Sequence, residues 1–286
     1  MKIHAISTGR VKITKRWQVG DEHSPLRLLK AITDSEYTDW LPIFCFVIEH
    51  PEGLIVVDSG ILANANDRVW IPPFMPLLQR AAPFDISSEE EIGPKMRQKG
   101  FQPEDVRWLI QTHLHLDHEG GFHYFPNAEV LVSRNEWEAA SGWKGRLNGY
   151  LNFRWPKELQ PTLIDFDSGP YYSFEHCQRV TQAGDIVLVP TPGHSAGHLS
   201  VIVEEPDQFV MLAGDVAYSQ ALLLADEVDG VAVSTADLHQ SHRRILELAQ
   251  EIPTVFVPSH EWAGAERLDR REKIFGTTQL PANQPN

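Results

Sequence analysis

The segment Thr112–Gly121, THLHLDHEGG, constrains this chain more than any other. It directly follows the apolar run WLIQ, which has the pattern of a buried strand, and strand ends in an open sheet face a crevice that binds ligands. Three imidazoles and one carboxylate crowded at such a place are typical of a metal site. The adjacent Asp117 and His118 point in different directions, so two neighbouring ions would use the whole cluster. The segment therefore offers four candidate ligands: His113, His115, Asp117 and His118.

Three further candidate ligands follow short apolar runs of their own. IVLVPTPG precedes His194, QFVMLAG precedes Asp215, and TVFVPS precedes His260. A single histidine after a strand is more often an ordinary loop residue, but four strand ends that carry His or Asp in this order are hard to obtain by chance. We therefore predict that all seven residues bind metal.

Other acidic and imidazole side chains are given different roles. Asp58 ends the run GLIVVD, and His198 comes four residues after His194; we expect both to orient ligands rather than to bind metal. His239 and His242 lie in an amphipathic helical pattern and are predicted to be solvated. The remaining histidines have no ligand partner in the sequence: His4, His23, His50, His123 and His176.

Charge and composition exclude several classes of partner. The 286 residues include 25 basic and 39 acidic side chains, a formal charge of −14. Nucleic acids and anionic membranes select basic surfaces, so neither is an expected partner. The two cysteines, Cys45 and Cys177, cannot form a disulfide scaffold. The first residues contain no apolar signal segment, and no run reaches the length of a membrane span, so we expect a cytoplasmic enzyme.

The order of strand and helix patterns predicts the fold class. Strand patterns followed by helix patterns occur twice, and the second half ends its strands with the amphipathic run TADLHQSHRRILELAQEI. Two mixed halves indicate an α+β protein with two sheets between helices, a four-layer αββα sandwich. We expect one domain over residues 1–276, with insertions near 61–86 and 141–161 and a disordered tail at 277–286.

The ordered motifs resemble those of the metallo-β-lactamase superfamily over about residues 2–262: Asp58, His113-x-His115-x-Asp117-His118, His194, Asp215 and His260. The resemblance implies that His113, His115 and His194 hold one ion. It assigns Asp117, His118 and His260 to the other, with Asp215 and a hydroxide as bridges. Nitrogen and oxygen ligands suit two Zn²⁺ ions, while Mn, Fe or Co also remain compatible.

Single positions separate the branches of this superfamily. Flavodiiron proteins carry Glu where this chain has His115, and many true β-lactamases carry Cys at the position of Asp215, so both are disfavoured. Tyr218, three residues after Asp215, resembles the tyrosine at the same spacing in N-acyl homoserine lactonases. The hairpin EHPEGLIVVDSG is also similar to the corresponding hairpin of these lactonases. A core or interface role for Tyr218 is the alternative. The resemblance therefore favours a quorum-quenching lactonase.

That branch implies a mechanism for opening a lactone ring. The metal-bridging hydroxide would attack the ester carbonyl, Tyr218 would donate a hydrogen bond to the carbonyl oxygen, and Asp117 would carry a proton to the leaving alkoxide. Aryl esters, phosphotriesters and glutathione thioesters are alternative substrates of the same chemistry, and a non-enzymatic metal sensor is a third alternative. Aromatic and aliphatic residues of the two insertions would line an acyl-chain cleft or a homodimer interface: Trp70, Phe74, Met75, Leu77, Leu78, Trp143, Tyr150, Phe153 and Trp155.

Overall fold

A computed structural model of the chain describes residues 1–66, 76–147 and 149–275. Its strands run in two groups that correspond to the two halves of the sequence. The first group is β1 Lys2–Val11, β2 Leu41–His50, β3 Gly53–Val57, β4 Phe84–Asp85, β5 Val106–Ile110, β6 Glu129–Ser133 and β7 Thr162–Ile164. The second group is β8 Gln178–Arg179, β9 Ile186–Pro190, β10 Leu199–Glu205, β11 Gln208–Gly214 and β12 Thr254–Pro258.

The helices are mostly short, and several of them begin where a strand has just ended. The α-helices are α1 Lys15–Gln18, α2 Arg27–Thr33, α3 Pro76–Ala81, α4 Ile92–Gln98, α5 Leu116–Glu119, α6 Arg134–Ala140, α7 Gly142–Leu147, α8 Gln220–Leu224, α9 Thr235–Glu251 and α10 Trp262–Arg270. Single 3-10 turns occur at Ala63–Asn66, Ser88–Glu90, Pro103–Asp105, Phe122–Tyr124 and Asn152–Arg154.

Both sheets contain parallel and antiparallel neighbours. The first has the order β4-β1-β2-β3-β5-β6-β7, with β3, β5, β6 and β7 parallel. The hairpin predicted around residues 51–52 is present between β2 and β3. The strand β1 has a register shift against β2 between Ser7 and Arg10. Gly9 sits in this irregularity at φ +88°, a conformation that a side chain would strain.

The second sheet presents three strand ends at one edge. Its order is β12-β11-β10-β9-β8. Because β9 and β11 both run antiparallel to β10, and β12 runs parallel to β11, the C-terminal ends of β9, β11 and β12 lie together. These are the ends that carry the three later candidate ligands.

Apolar side chains fill the three spaces between four layers of helices and sheets, and this confirms the four-layer αββα sandwich. Alternate residues of both sheets pack between them, among them Phe46, Ile110 and Val257. On the outer side of the first sheet, β2 and β5 pack under α4 and α6. On the outer side of the second, the apolar stripe of α9 covers Met211 and Phe256. Burying each such side chain contributes about 1.5–3 kcal/mol to the fold.

The predicted insertions contain short elements in their described parts. Residues 61–86 include a 3-10 turn, α3 and the short β4 that pairs with β1; residues 67–75, which include Trp70, Phe74 and Met75, lie outside the described residues. Residues 141–161 include α7 and a 3-10 turn. The single domain over 1–276 stays a prediction, and the tail at 277–286 lies outside the described residues. Among the described helices, none is long and apolar enough to cross a membrane.

Candidate metal centre

All seven predicted ligands meet where the strand ends of the two sheets face each other. The loop after β5 and the short helix α5 carry the first four, with His115 at the helix N-cap. The loop after β9 carries His194, the residue after β11 is Asp215, and His260 lies two residues beyond β12. The crossing of two sheet edges thus assembles residues that are distant in sequence.

The candidate ligands fall into two groups that share one carboxylate. His113, His115 and His194 form the first, with His115 Nδ1 3.0 Å from His194 Nε2. Asp117, His118 and His260 form the second. The ligand atoms of each group lie within 4.8 Å of one another, which is a spacing that one ion can bridge.

Asp215 lies between the two groups. Its carboxylate oxygens are 3.4 Å from His118 Nε2, 3.2 Å from His260 Nε2 and 3.6 Å from His194 Nε2. Asp117 contacts only the second group, at 3.5 Å from His260 Nε2 and 3.9 Å from His118 Nε2. The bridging position that the resemblance implied for Asp215 agrees with these distances.

Several polar atoms of the cluster have no hydrogen-bond partner in the described part of the chain. They are buried, and they are His113 Nε2, His118 Nε2 and Asp215 Oδ1. Leaving a buried polar atom unpaired costs about 1–3 kcal/mol, and more for a charged group. Three such atoms turned toward one point fit a site whose ligands complete their coordination with metal ions.

The far ring nitrogens of the histidines are held by other groups. His118 Nδ1 bonds to Asp58 at 2.8 Å, His194 Nδ1 bonds to Asp229 at 3.0 Å, and His260 Nδ1 donates to the carbonyl of Pro42 at 2.8 Å. Such contacts fix the ring orientation and leave Nε2 directed at the metal. Asp58 therefore lies in contact with a candidate ligand, and its orienting role stays a prediction; Asp229 was missed because no strand pattern precedes it.

His198 supports the backbone of the bridging residue. Its Nε2 accepts the backbone N–H of Asp215 at 3.0 Å, and its Nδ1 lies 2.9 Å from Thr191 Oγ1. Burial lowers its pKa to about 3, so the ring is neutral as this acceptor role requires. Gly214 packs against this ring at φ +58°, where a Cβ would come within 2.6 Å of His198 Nε2. The approach of β11 to His198 therefore depends on glycine.

A buried glutamate, Glu136 of α6, ties two ligand-bearing loops together. One carboxylate oxygen accepts the Leu114 N–H at 3.0 Å and the Tyr150 hydroxyl at 3.1 Å. The other accepts the Ser195 hydroxyl at 2.7 Å and the Gly197 N–H at 3.0 Å. One side chain thus fixes the loops on both sides of the first ligand group, and the helical sequence RNEWEAA gave no sign of it.

The charges of the cluster shift the pKa values of its members in different directions. Burial, with neighbouring histidines, lowers the pKa of His113 well below its usual value. Burial would raise the pKa of Asp215, but His260 and His118 hold it well below the usual range. Burial also opposes a charge on His118, yet Asp215 and Asp58 raise its pKa well above normal. A neutral His113 and an ionised Asp215 are ready to coordinate, whereas His118 must release a proton when metal binds.

Tyr218 is buried beside the second ligand group. Its ring stacks on His260 with centroids 5.5 Å apart, and it contacts the His194 ring edge at 6.1 Å. Its hydroxyl oxygen accepts the indole N–H of Trp17 from α1 at 2.9 Å. Because the oxygen is the acceptor in this bond, the phenol keeps its own proton to donate. Trp17 was not singled out in the sequence.

The sequence of this centre matches a known family. The model of the metallo-β-lactamase superfamily matches residues 38–260, a span that includes every candidate ligand. The chain therefore belongs to this superfamily of metal-dependent hydrolases, as its motifs predicted.

The chain is similar to several N-acyl homoserine lactonases. It is 30% identical to an N-acyl homoserine lactonase of Bacillus cereus over 222 residues, which cover 76% of this chain and 80% of the relative. It is 28% identical to N-acyl homoserine lactonase AttM of Rhizobium radiobacter, over 79% and 86% of the two chains. A solved N-acyl homoserine lactone hydrolase, with N-hexanoyl-L-homoserine bound at its catalytic metal center, superimposes with a TM-score of 0.75 at 23% identity over 93% and 95% of the chains. The predicted likeness to the lactonase branch is confirmed.

Proposed function

We propose that this chain opens the ring of N-acyl homoserine lactones by hydrolysis at a centre of two metal ions. The substrate class is supported by the curated relatives. The structural observation that carries the proposal is Tyr218, whose ring lies against His260 and His194 and whose hydroxyl oxygen accepts a hydrogen bond from Trp17. The native metal, a homodimer and a cytoplasmic location stay predictions of the sequence.

Two bound ions would supply hydroxide at neutral pH and polarise the ester carbonyl; a single zinc already lowers the pKa of water from 15.7 to about 7. Six of the seven candidate ligands use ring nitrogens or a buried carboxylate, a donor set that suits Zn²⁺. The side chain of Asp117 is 17% exposed, unlike Asp215 at 4%, so Asp117 faces the open side of the centre. From there it can pass a proton to the alkoxide that leaves.

Proton delivery has a special importance in this reaction. The alcohol released from a lactone remains attached to its acyl group, so it can close the ring again. A carboxylate near the leaving oxygen can prevent this if it first accepts the proton of the attacking water and then gives that proton to the alkoxide. The position of Asp117 at the open side of the second ligand group suits that task.

We expect Tyr218→Phe to lower kcat for lactone hydrolysis by roughly 10²-fold, since it removes one donor to the developing oxyanion. Trp17→Phe should cost about tenfold or less, because it only frees the phenol to rotate. Tyr172→Phe, the same change at an exposed position between β7 and β8, is the control. Steady-state kinetics with one lactone measure all three, and an unchanged kcat in Tyr218→Phe would contradict the assigned role.

Removal of metal provides the test of the whole proposal. We expect acid release from short- and long-chain lactones, followed with a pH indicator, to stop after chelation and to return with added Zn²⁺. Emission spectroscopy should find at least two ions per chain. A metal-loaded protein that turns over no lactone would refute the substrate class, and fewer than two ions would refute the dinuclear centre.

The glutathione thioester alternative is weakened because the C-terminal arginines are paired with carboxylates. This substrate needs unpaired basic groups for its carboxylates, and the C-terminal segment contains three arginines that could bind them: Arg267, Arg270 and Arg271. In the structure Arg267 pairs with Glu261, Arg270 with Glu266 and Arg271 with Glu205. Because each guanidinium already faces a carboxylate, the lactone remains the better substrate.

A further inference from the structure

A second histidine cluster lies on α9, away from the centre described above. His239 and His242 are one turn apart and so share a face of the helix. The sequence predicted both to be solvated, and the structure corrects this: the side chain of His242 is fully buried and that of His239 is 28% exposed. Asp226, just after α8, extends its carboxylate between the two rings.

The potential ligand atoms of the cluster converge. His242 Nδ1 lies 2.9 Å from Asp226 Oδ1, and His239 Nδ1 lies 2.9 Å from Asp226 Oδ2. The three ligand atoms are all within 4.8 Å of one another. His239 Nδ1 is buried and makes no hydrogen bond among the described residues, and its one polar neighbour is the Asp226 carboxylate of the same cluster. A metal ion bound by these three atoms would satisfy this nitrogen.

The opposite ring nitrogens are anchored as they are in the main centre. His239 Nε2 lies 2.7 Å from Glu22 Oε2, and His242 Nε2 donates to the carbonyl oxygen of Val216 at 2.7 Å. A carboxylate and a backbone carbonyl hold the far nitrogens of His118 and His260 in the same manner. Anchors of this kind place the proton on Nε2 and leave Nδ1 with a lone pair for a metal.

We propose that Asp226, His239 and His242 form a separate site for one divalent transition-metal ion. Two imidazoles and one carboxylate suit Zn²⁺ and, in the usual order of affinities, Ni²⁺ or Cu²⁺. The Asp226 side chain is 45% exposed, so the ion can enter from solvent and keep water in its remaining positions. The charges of Asp226 and Glu22 balance those of the ion.

An ion at this site would connect three parts of the chain. It would join α9 to the segment after α8 and, through the Glu22 anchor, to the loop before α2. The Val216 anchor follows Asp215 directly, and the loop that begins at Asp226 also contains Asp229, the partner of His194. The proposed ion would thus help to hold both the backbone beside Asp215 and the loop that carries Asp229.

Counting bound zinc in matched variants tests the site. The purified protein is dialysed against Zn²⁺, and metal per chain is measured by emission spectroscopy. Asp226→Asn removes the carboxylate charge but tolerates the left-handed backbone at φ +53°. His239→Gln removes the partly exposed ligand, and the buried His242 is left intact. His176→Ala removes an exposed histidine between β7 and β8 and is the control.

We expect the unmodified chain and His176→Ala to hold one more Zn²⁺ per chain than Asp226→Asn and His239→Gln. Equal metal content in all four proteins would overturn the proposal. A failure of the dinuclear centre lowers the count in all four alike and leaves this difference in place. Anomalous scattering at the zinc edge in crystals of the unmodified chain gives a second readout, with a peak between the His239 and His242 rings expected.

Discussion

Replacing Asp117 by Asn is expected to lower kcat for lactone hydrolysis by about 10²–10⁴-fold, the usual contribution of a positioned acid–base group. Asparagine keeps the shape of the side chain but cannot accept and return a proton. It is also a weaker ligand for the ion shared with His118 and His260. Kinetics alone do not separate these two losses, so metal content is measured on the same samples.

The same number of ions per chain as in the unmodified protein, with a low kcat, would assign the loss to proton transfer, whereas one ion fewer would assign it to coordination. Asp117→Glu, which restores a carboxylate, should recover part of the rate. The matched control is Asp207→Asn, in the exposed turn between β10 and β11 at the opposite edge of the sheet. A variant at Asp117 that is as active as this control would rule out both roles.

Replacing Glu136 by Gln is expected to lower the free energy of unfolding by about 1–3 kcal/mol. The carboxylate accepts four hydrogen bonds, and one donor on each oxygen is a backbone N–H that cannot turn away. In either orientation the amide NH₂ of glutamine would therefore face another donor. Leu114 lies between His113 and His115, and Ser195 follows His194, so metal affinity should also fall by about 10–100-fold.

Denaturant unfolding and zinc titration measure the two effects of Glu136→Gln. Glu138→Gln is the matched control, because Glu138 lies on the same helix and is exposed. We expect the control to keep the stability and zinc affinity of the unmodified chain. If both variants behave alike, Glu136 does not join the two loops.

The candidate ligands could be predicted because each one interrupts a simple local pattern. An apolar run that ends in His or Asp is visible in sequence, and the order of such ends indicated the fold. Asp229, Glu136 and Trp17 gave no such signal. Glu136 looks like an exposed helical residue until tertiary packing buries it, and Trp17 meets a tyrosine 201 positions away.

The burial of His242 is a second feature that the sequence pattern could not predict. An amphipathic pattern assigns a polar residue to the solvent side of its helix. Here the carbonyl of Val216 and the carboxylate of Asp226 provide polar partners inside the protein. A buried histidine with partners on both nitrogens cannot be distinguished from a solvated one until the neighbouring loop is placed.

The division of the candidate ligands between the two sheets has a consequence for biosynthesis. The first sheet provides four of them from residues 113–118, but the last, His260, follows β12, which pairs with β11 only after α9 has been made. A ribosome must therefore release nearly the whole fold before the second ligand group can be complete, whereas the first needs the chain only as far as His194. Capture of an ion by the second group would then be a late step of maturation, and a nascent chain arrested before β12 should bind fewer metal ions than the full chain.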